Sequence, residues 1–261
     1  MISFTSAQLD SWLTLFMFPL ARILALLATA PVFNSAGLSL QIRLVVGLAI
    51  SFALAPALPA MPAISPGSWV GMMVLAQQII IGVTMGFTLR LVFSAVDLAG
   101  ELIGLQMGLG FASFYDPHTA SQTSVISEFL GLLTTLLFLA LNGHLLTLSA
   151  LADSFTLLPV TTTPFAAKGI AAFLSWAAML FSAGLMLALP LIAALLITNI
   201  ALGVLSRVAP QLNIFAVGFP VTIVAGFVVL MLSMPYFGAA LARLYDSGFS
   251  ALSGVLGAGL P

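Results

Sequence analysis

The chain has no cysteine. Disulfides, thiolate metal sites and cysteine nucleophiles are therefore excluded. Charge is almost as scarce, with six Lys or Arg and seven Asp or Glu among 261 residues, or 5% of the chain. A soluble domain carries about 25%, so this chain cannot keep an ordinary surface wet, and a soluble enzyme is excluded. The net charge is −1 and no basic patch exists, which excludes a nucleic-acid binder. Only two histidines occur, His118 and His144, far apart in sequence, so a histidine-rich metal centre is not expected. The HExxH pattern and a phosphate-cradling glycine loop are both absent, and no enzyme activity or cofactor is expected. Before the first apolar run the sole charge is Asp10. With no basic n-region, no cleavable signal peptide is expected.

What the chain has in abundance is apolar surface: 62% hydrophobic residues and a mean hydropathy of +1.25. Disorder needs the opposite composition, so the solvent is lipid or other apolar protein. Seven apolar segments are read at about 11–31, 37–60, 68–89, 91–112, 125–150, 169–206 and 214–242. A bilayer crossing needs about 20 apolar residues, and continuous runs argue against the short alternating strands of an outer-membrane barrel. The prediction is an all-α, polytopic integral membrane protein. Pro190 is expected to kink the longest segment. Breaks fall at Pro31 to Gly37, at the prolines 56, 59, 62 and 66, at Pro159 to Pro164, and at Pro210, Gln211 and Asn213. The last break makes 169–242 read as a helical hairpin. Basic residues favour the cytoplasmic side, but seven crossings and six, the latter with 91–112 dipping in and returning, both remain open.

Segment 91–112 carries the most unusual chemistry. Asp97 and Glu101 are spaced by four and Arg90 precedes Asp97 by seven, so the three share one helix face. Gly104 and Gly108 continue that stripe, and Gly100, Gly104 and Gly108 also form a row at spacing four, which lets helices approach closely. A carboxylate facing hydrocarbon costs about 2.5–3.5 kcal/mol on insertion scales, so the stripe should face protein or water. Three readings stay open: pairing of Arg90 with Asp97 or Glu101 inside a bundle, lining of an aqueous path for a large substrate, and a proton or cation site of a small-solute transporter. The stretch that follows is rich in glycine and aromatics at Gly108, Gly110, Phe111, Phe114 and Tyr115, and turns polar through Asp116, Pro117 and His118. It reads either as an aqueous loop or as an aromatic-tipped loop that closes a pore. Irregular backbone at membrane depth is tolerated only inside protein or beside water, and apolar constrictions gate by excluding water. Arg22, in mid-segment, must find a partner or snorkel. Gly67 with Gly71, and Gly82 with Gly86, read as packing seams, and Glu128 and His144 as helix-end groups.

Four stretches taken together resemble the FliR family, a component of the flagellar type III protein export gate with a virulence-secretion counterpart. They are WLTLFMFPLARILALLATAPVF at 12–33, IRLVVGLAISFALAP at 42–56, GELIGLQMGLGFASFYDP at 100–117 and SRVAPQLNIFAVGFP at 206–220. The resemblance implies that residues 1–165 behave like a FliP subunit and 166–261 like a FliQ-type helical hairpin. It implies a hetero-oligomeric gate with FliP and FliQ in the bacterial inner membrane, with FlhB and FlhA as further partners and unfolded flagellar subunits as cargo. The central loop, about 108–121, corresponds to a plug of the closed pore. The turn carrying Arg207, Pro210, Gln211, Asn213 and Gly218 corresponds to the cytoplasm-facing end, near FlhB. The resemblance further implies that many apolar helices pack on protein rather than lipid, so counted segments need not equal crossings.

Overall fold

The computed structural model describes residues 6–34, 37–59, 61–62, 64–111, 124–211 and 214–260, and not the side chains of 6–13, 111, 214 and 215. Among the described residues there are seven α-helices and no strand: α1 (Ser6–Thr29), α2 (Leu40–Leu54), α3 (Trp69–Gln106), α4 (Val125–Ala140), α5 (Gly143–Leu157), α6 (Ala167–Val208) and α7 (Ile214–Ala258). Short 3₁₀ turns follow α2 at Ala55–Ala57 and α3 at Leu109–Phe111. Four helical stretches are long and apolar enough to cross a bilayer: Leu40–Ala57, Trp69–Gln106, Ala167–Val208 and Ala216–Ala258. The α4–α5 pair makes a fifth if it crosses as one broken span. The chain is an all-α polytopic membrane protein.

Three segment boundaries differ from the sequence reading. Segments 68–89 and 91–112 are one helix, α3, because Arg90 is a good helix former and nothing between them breaks the backbone. Segment 125–150 is two helices, because Asn142 takes the left-handed conformation at φ 56° just before Gly143. The last helix runs on through Arg243 and Asp246 to Ala258, well beyond 242. Helix α6 continues through Pro190 without interruption of its assignment.

The residues cluster into two compact units: Met1–Leu91 with Asn142–Ala177 and Ser247–Pro261, and Val92–Leu141 with Ala178–Asp246. Helices α3, α6 and α7 contribute to both. The core of the first unit joins Phe18, Ile23, Leu26 and Leu27 of α1 to Val74, Ile81 and Met85 of α3, Leu151 and Phe155 of α5, and Leu252 and Leu256 of α7. In lipid the apolar environment offers no hydrophobic drive between helices, so close packing must supply the association. Gly82 and Gly86 provide it here. A Cβ on Gly82 would lie 2.8 Å from the Ala25 methyl, and one on Gly86 would overlap Thr29 and Ala30. The seam expected from that glycine pair is the α1–α3 contact.

In the second unit Phe93, Phe138 and Tyr245 of α3, α4 and α7 form an aromatic cluster with ring centroids 5.5–5.9 Å apart. The buried Tyr245 hydroxyl donates to the Thr134 carbonyl at 2.7 Å. Gly184 brings α6 onto α3, its missing Cβ pointing at the Ala95 carbonyl 2.8 Å away.

Candidate functional site

In the second unit, side-chain hydrogen bonds hold the helices on either side of the central loop. Ser124 caps α4, its hydroxyl accepting from the Ser127 amide at 3.1 Å. Glu128 lies in the first turn of that helix, where the positive end of the dipole favours it. His144, in the first unit, sits in the first turn of α5. The two serines then bond across to α3: Ser127 Oγ donates to the Asp97 carbonyl at 3.0 Å and Ser124 Oγ to the Gly100 carbonyl at 3.3 Å. This approach requires the glycine row. A Cβ on Gly100 would strike the Ser127 backbone, and one on Gly104 would lie 2.8 Å from Ser124 Oγ.

The end of α3 is held from another side by α7. Thr222 Oγ1 donates to the Met107 carbonyl at 3.2 Å. Gly226 accepts the Met107 side chain, its missing Cβ lying 2.6 Å from Met107 Cγ. Gly108 then turns the chain at φ +85°, a conformation that a residue with a Cβ rarely adopts, against the ring of Phe219. Gly110 follows in the 3₁₀ turn that Phe111 ends. Phe114, Tyr115, Asp116 and Pro117, and the rest of 112–123, lie outside the described residues.

The hairpin turn reaches the same place. Arg207 is in the last turn of α6, and Pro210 and Gln211 are exposed beyond it. Asn213 lies outside the described residues, while Gly218 is buried. A cavity of about 410 Å³ is lined by Gln106 and Gly108 at the end of α3, by Asn199 and Ser206 of α6, and by Gly218 and Thr222 of α7. Two regions singled out separately in the sequence, the foot of the central loop and the start of α7, thus line one space. Ser124, Ser127, Phe219, Thr222 and Gly226 were not singled out. Ser124 had a readable signal, as a cap residue directly before an apolar run. The others become visible only through their partners.

Asp97, Glu101 and Arg90 are all exposed on the surface of α3, whereas Gly100 and Gly104 are buried. The single stripe expected from spacing is therefore divided: Gly100 and Gly104 pack against the chain's own α4, while Arg90, Asp97 and Glu101 keep solvent-accessible side chains. The Asp97 carboxylate stands beside α4, 3.3 Å from where a Cβ on Gly131 would be. Among the described residues no three His, Cys, Asp or Glu side chains come together in a way that could hold a metal ion.

Long apolar helices packed through glycine seams, with a few outward-facing charges, define a helical membrane protein. The profile of the bacterial export proteins, family 1, matches residues 13–248, and the chain belongs to that family. It is 43% identical over 256 residues to the flagellar biosynthetic protein FliR of Pectobacterium carotovorum subsp. carotovorum, covering 98% of each chain. Against the FliR of Escherichia coli strain K12 the identity is 41% over 256 residues, again 98% of each. Against that of Aquifex aeolicus strain VF5 it is 35% over 229 residues, 87% of this chain and 88% of the relative. The resemblance seen in four stretches of sequence thus extends over nearly the whole length, and the chain is a flagellar export component.

Proposed function

We propose that the chain forms, together with FliP and FliQ subunits, the inner-membrane pore that conducts unfolded flagellar subunits, and that its central loop, about 108–121, plugs the closed pore. In this reading residues 1–165 act as a FliP-like part and 166–261 as a FliQ-like hairpin. FlhB lies near the turn around Arg207, Pro210, Gln211, Asn213 and Gly218, and FlhA belongs to the same machine. The chain conducts passively, and other components supply the energy. Phe111, Phe114 and Tyr115 supply the apolar obstruction, with Gly108 and Gly110 giving the backbone freedom to turn there.

The observation that carries this reading is the chain-long similarity to flagellar FliR proteins. Helix length adds support. At 1.5 Å per residue, α6 and α7, of 42 and 45 residues, rise about 63 and 68 Å. The hydrocarbon layer is about 30 Å thick. Even at a tilt of about 40°, the upper end of the observed range, it would cover about 39 Å of either helix. Exposed apolar side chains extend along α6 from Ile170 to Val208, so protein partners must cover much of that length.

Deletion of 110–116 in the full assembly tests the plug. The expected result is a membrane that leaks small ions while native mass spectrometry still finds FliP-like and FliQ-like subunits bound. An intact complex with unchanged permeability would sink the plug. A lone monomer or homodimer, when those partners are made, would sink the pore reading and favour a small-solute transporter.

A further inference from the structure

Arg22 has no part in that reading. It sits in the middle of α1 and is completely buried. Every N–H of its guanidinium has an acceptor. Nε donates to Gln78 Oε1 at 2.8 Å, and Nη2 reaches the same oxygen. Nη1 donates to the Ser154 carbonyl at 2.8 Å and to the Ser154 hydroxyl at 3.0 Å. Nη2 also donates to the Leu158 carbonyl at 2.8 Å. The Phe155 ring lies 4.2 Å from the guanidinium carbon. None of these partners carries a formal charge.

The arrangement is solvation by dipoles rather than by a counter-ion. Ser154 and Leu158 are in the last turn and at the cap of α5, where a helix presents its negative end. Gln78 turns its oxygen wholly to Arg22, and its buried Nε2 has no partner among the described residues. The amide is spent on holding the cation. The Phe155 face adds its quadrupole.

Helix α1 is poorly suited to rest in lipid without this shell. Its apolar run, at about 11–31, carries Arg22 near the middle. An arginine at its centre is costly in hydrocarbon unless paired or solvated. The three residues that solvate it come 56, 132 and 136 positions later in the chain.

We propose that Arg22 makes α1 a conditionally seated helix, which enters the core only once Gln78 and the finished end of α5 are in place to receive its charge. Seating of the N-terminal helix then reports that the first unit is complete. This goes beyond pore formation and would hold whether or not the central loop is a plug.

The absence of cysteine allows a direct test. Leu27, almost fully buried in α1, is replaced by Leu27→Cys in the full chain, produced with its neighbouring membrane proteins. The rate of labelling by an aqueous maleimide is then measured. In the parent the thiol should react slowly. Adding Gln78→Leu should raise the rate tenfold or more, because the cation has lost its principal acceptor and draws the helix toward water. Adding Arg22→Leu to that variant should return the rate to within about twofold of the parent, since removing both partners of a buried pair is far milder than removing one. No increase with Gln78→Leu overturns the proposal, and so does a double variant as reactive as the single. If Gln78→Leu instead lowers the amount of membrane-integrated chain, the double variant must restore it. Failure to do so overturns the proposal equally.

Discussion

Replacing Gly100 by alanine puts a methyl group where the Cα, amide and Cβ of Ser127 already are. The obstacle is largely backbone, so α3 and α4 must move apart. Two bonds go with that movement: Ser127 Oγ to the Asp97 carbonyl and Ser124 Oγ to the Gly100 carbonyl. Each contributes about 1 kcal/mol. Overpacking adds about 1–3 kcal/mol, and alanine returns about 1 kcal/mol through its better helix propensity. The expected net loss is about 2–4 kcal/mol. Gly104→Ala meets a softer neighbour, the Ser124 hydroxyl at 2.8 Å. Giving way costs the α4 cap about 1 kcal/mol and the Ser124–Gly100 bond about 1 kcal/mol, of which propensity returns about 1 kcal/mol. Gly238→Ala, in the interior of α7 with no other part of the described chain within 4 Å of the new methyl, should gain about 1 kcal/mol. Thermal midpoints of the chain in mild detergent should therefore rank Gly238→Ala above parent, Gly104→Ala slightly below parent and Gly100→Ala clearly lowest. A Gly100→Ala midpoint at or above that of Gly238→Ala would refute the seam.

Two further outcomes follow from single contacts. Tyr245→Phe keeps the aromatic cluster but leaves the buried Thr134 carbonyl without the hydroxyl that donates to it; the same thermal assay should show a loss of about 1 kcal/mol. Asp97→Ala removes a charge from the outward face of α3, and should reduce the yield of assembled complex on native gels more than it changes ion flux. A stable complex with selectively lost conduction would instead place Asp97 along the conducting path.

The helical class and the location of the sensitive glycines were legible in the sequence, because both rest on local pattern. Hydropathy was a good guide to where helices exist and a poor one to where they stop. Arg90 interrupts an apolar run without interrupting a backbone, so one helix was read as two segments. Asn142-Gly143 is short and polar enough to break a helix, yet it sits inside a long apolar window and was passed over. Arg243 and Asp246 ended the apolar run but not the helix. The environment of Arg22 was not legible for a different reason. The expected partner of a buried arginine is a carboxylate, whereas the chain answers with an amide, a serine hydroxyl and two backbone carbonyls, and a carbonyl leaves no trace in a sequence. The partners of the glycine row escaped similarly: Ser127, Thr222 and Gly226 are common residue types whose role appears only when a neighbouring helix lies against them.

The lengths of α6 and α7 bear on how such a chain can be handled. Exposed apolar side chains run along both helices, so the faces that lipid would meet and those that any neighbouring subunit would meet are the same kind of surface. A micelle cannot tell these apart and will coat both. Detergent extraction of the chain by itself would then cover the very faces on which neighbours must land, and later mixing of separately purified parts would have to strip a bound surfactant layer before any contact could form. Joint synthesis avoids that competition, because the neighbours meet before any surfactant is present.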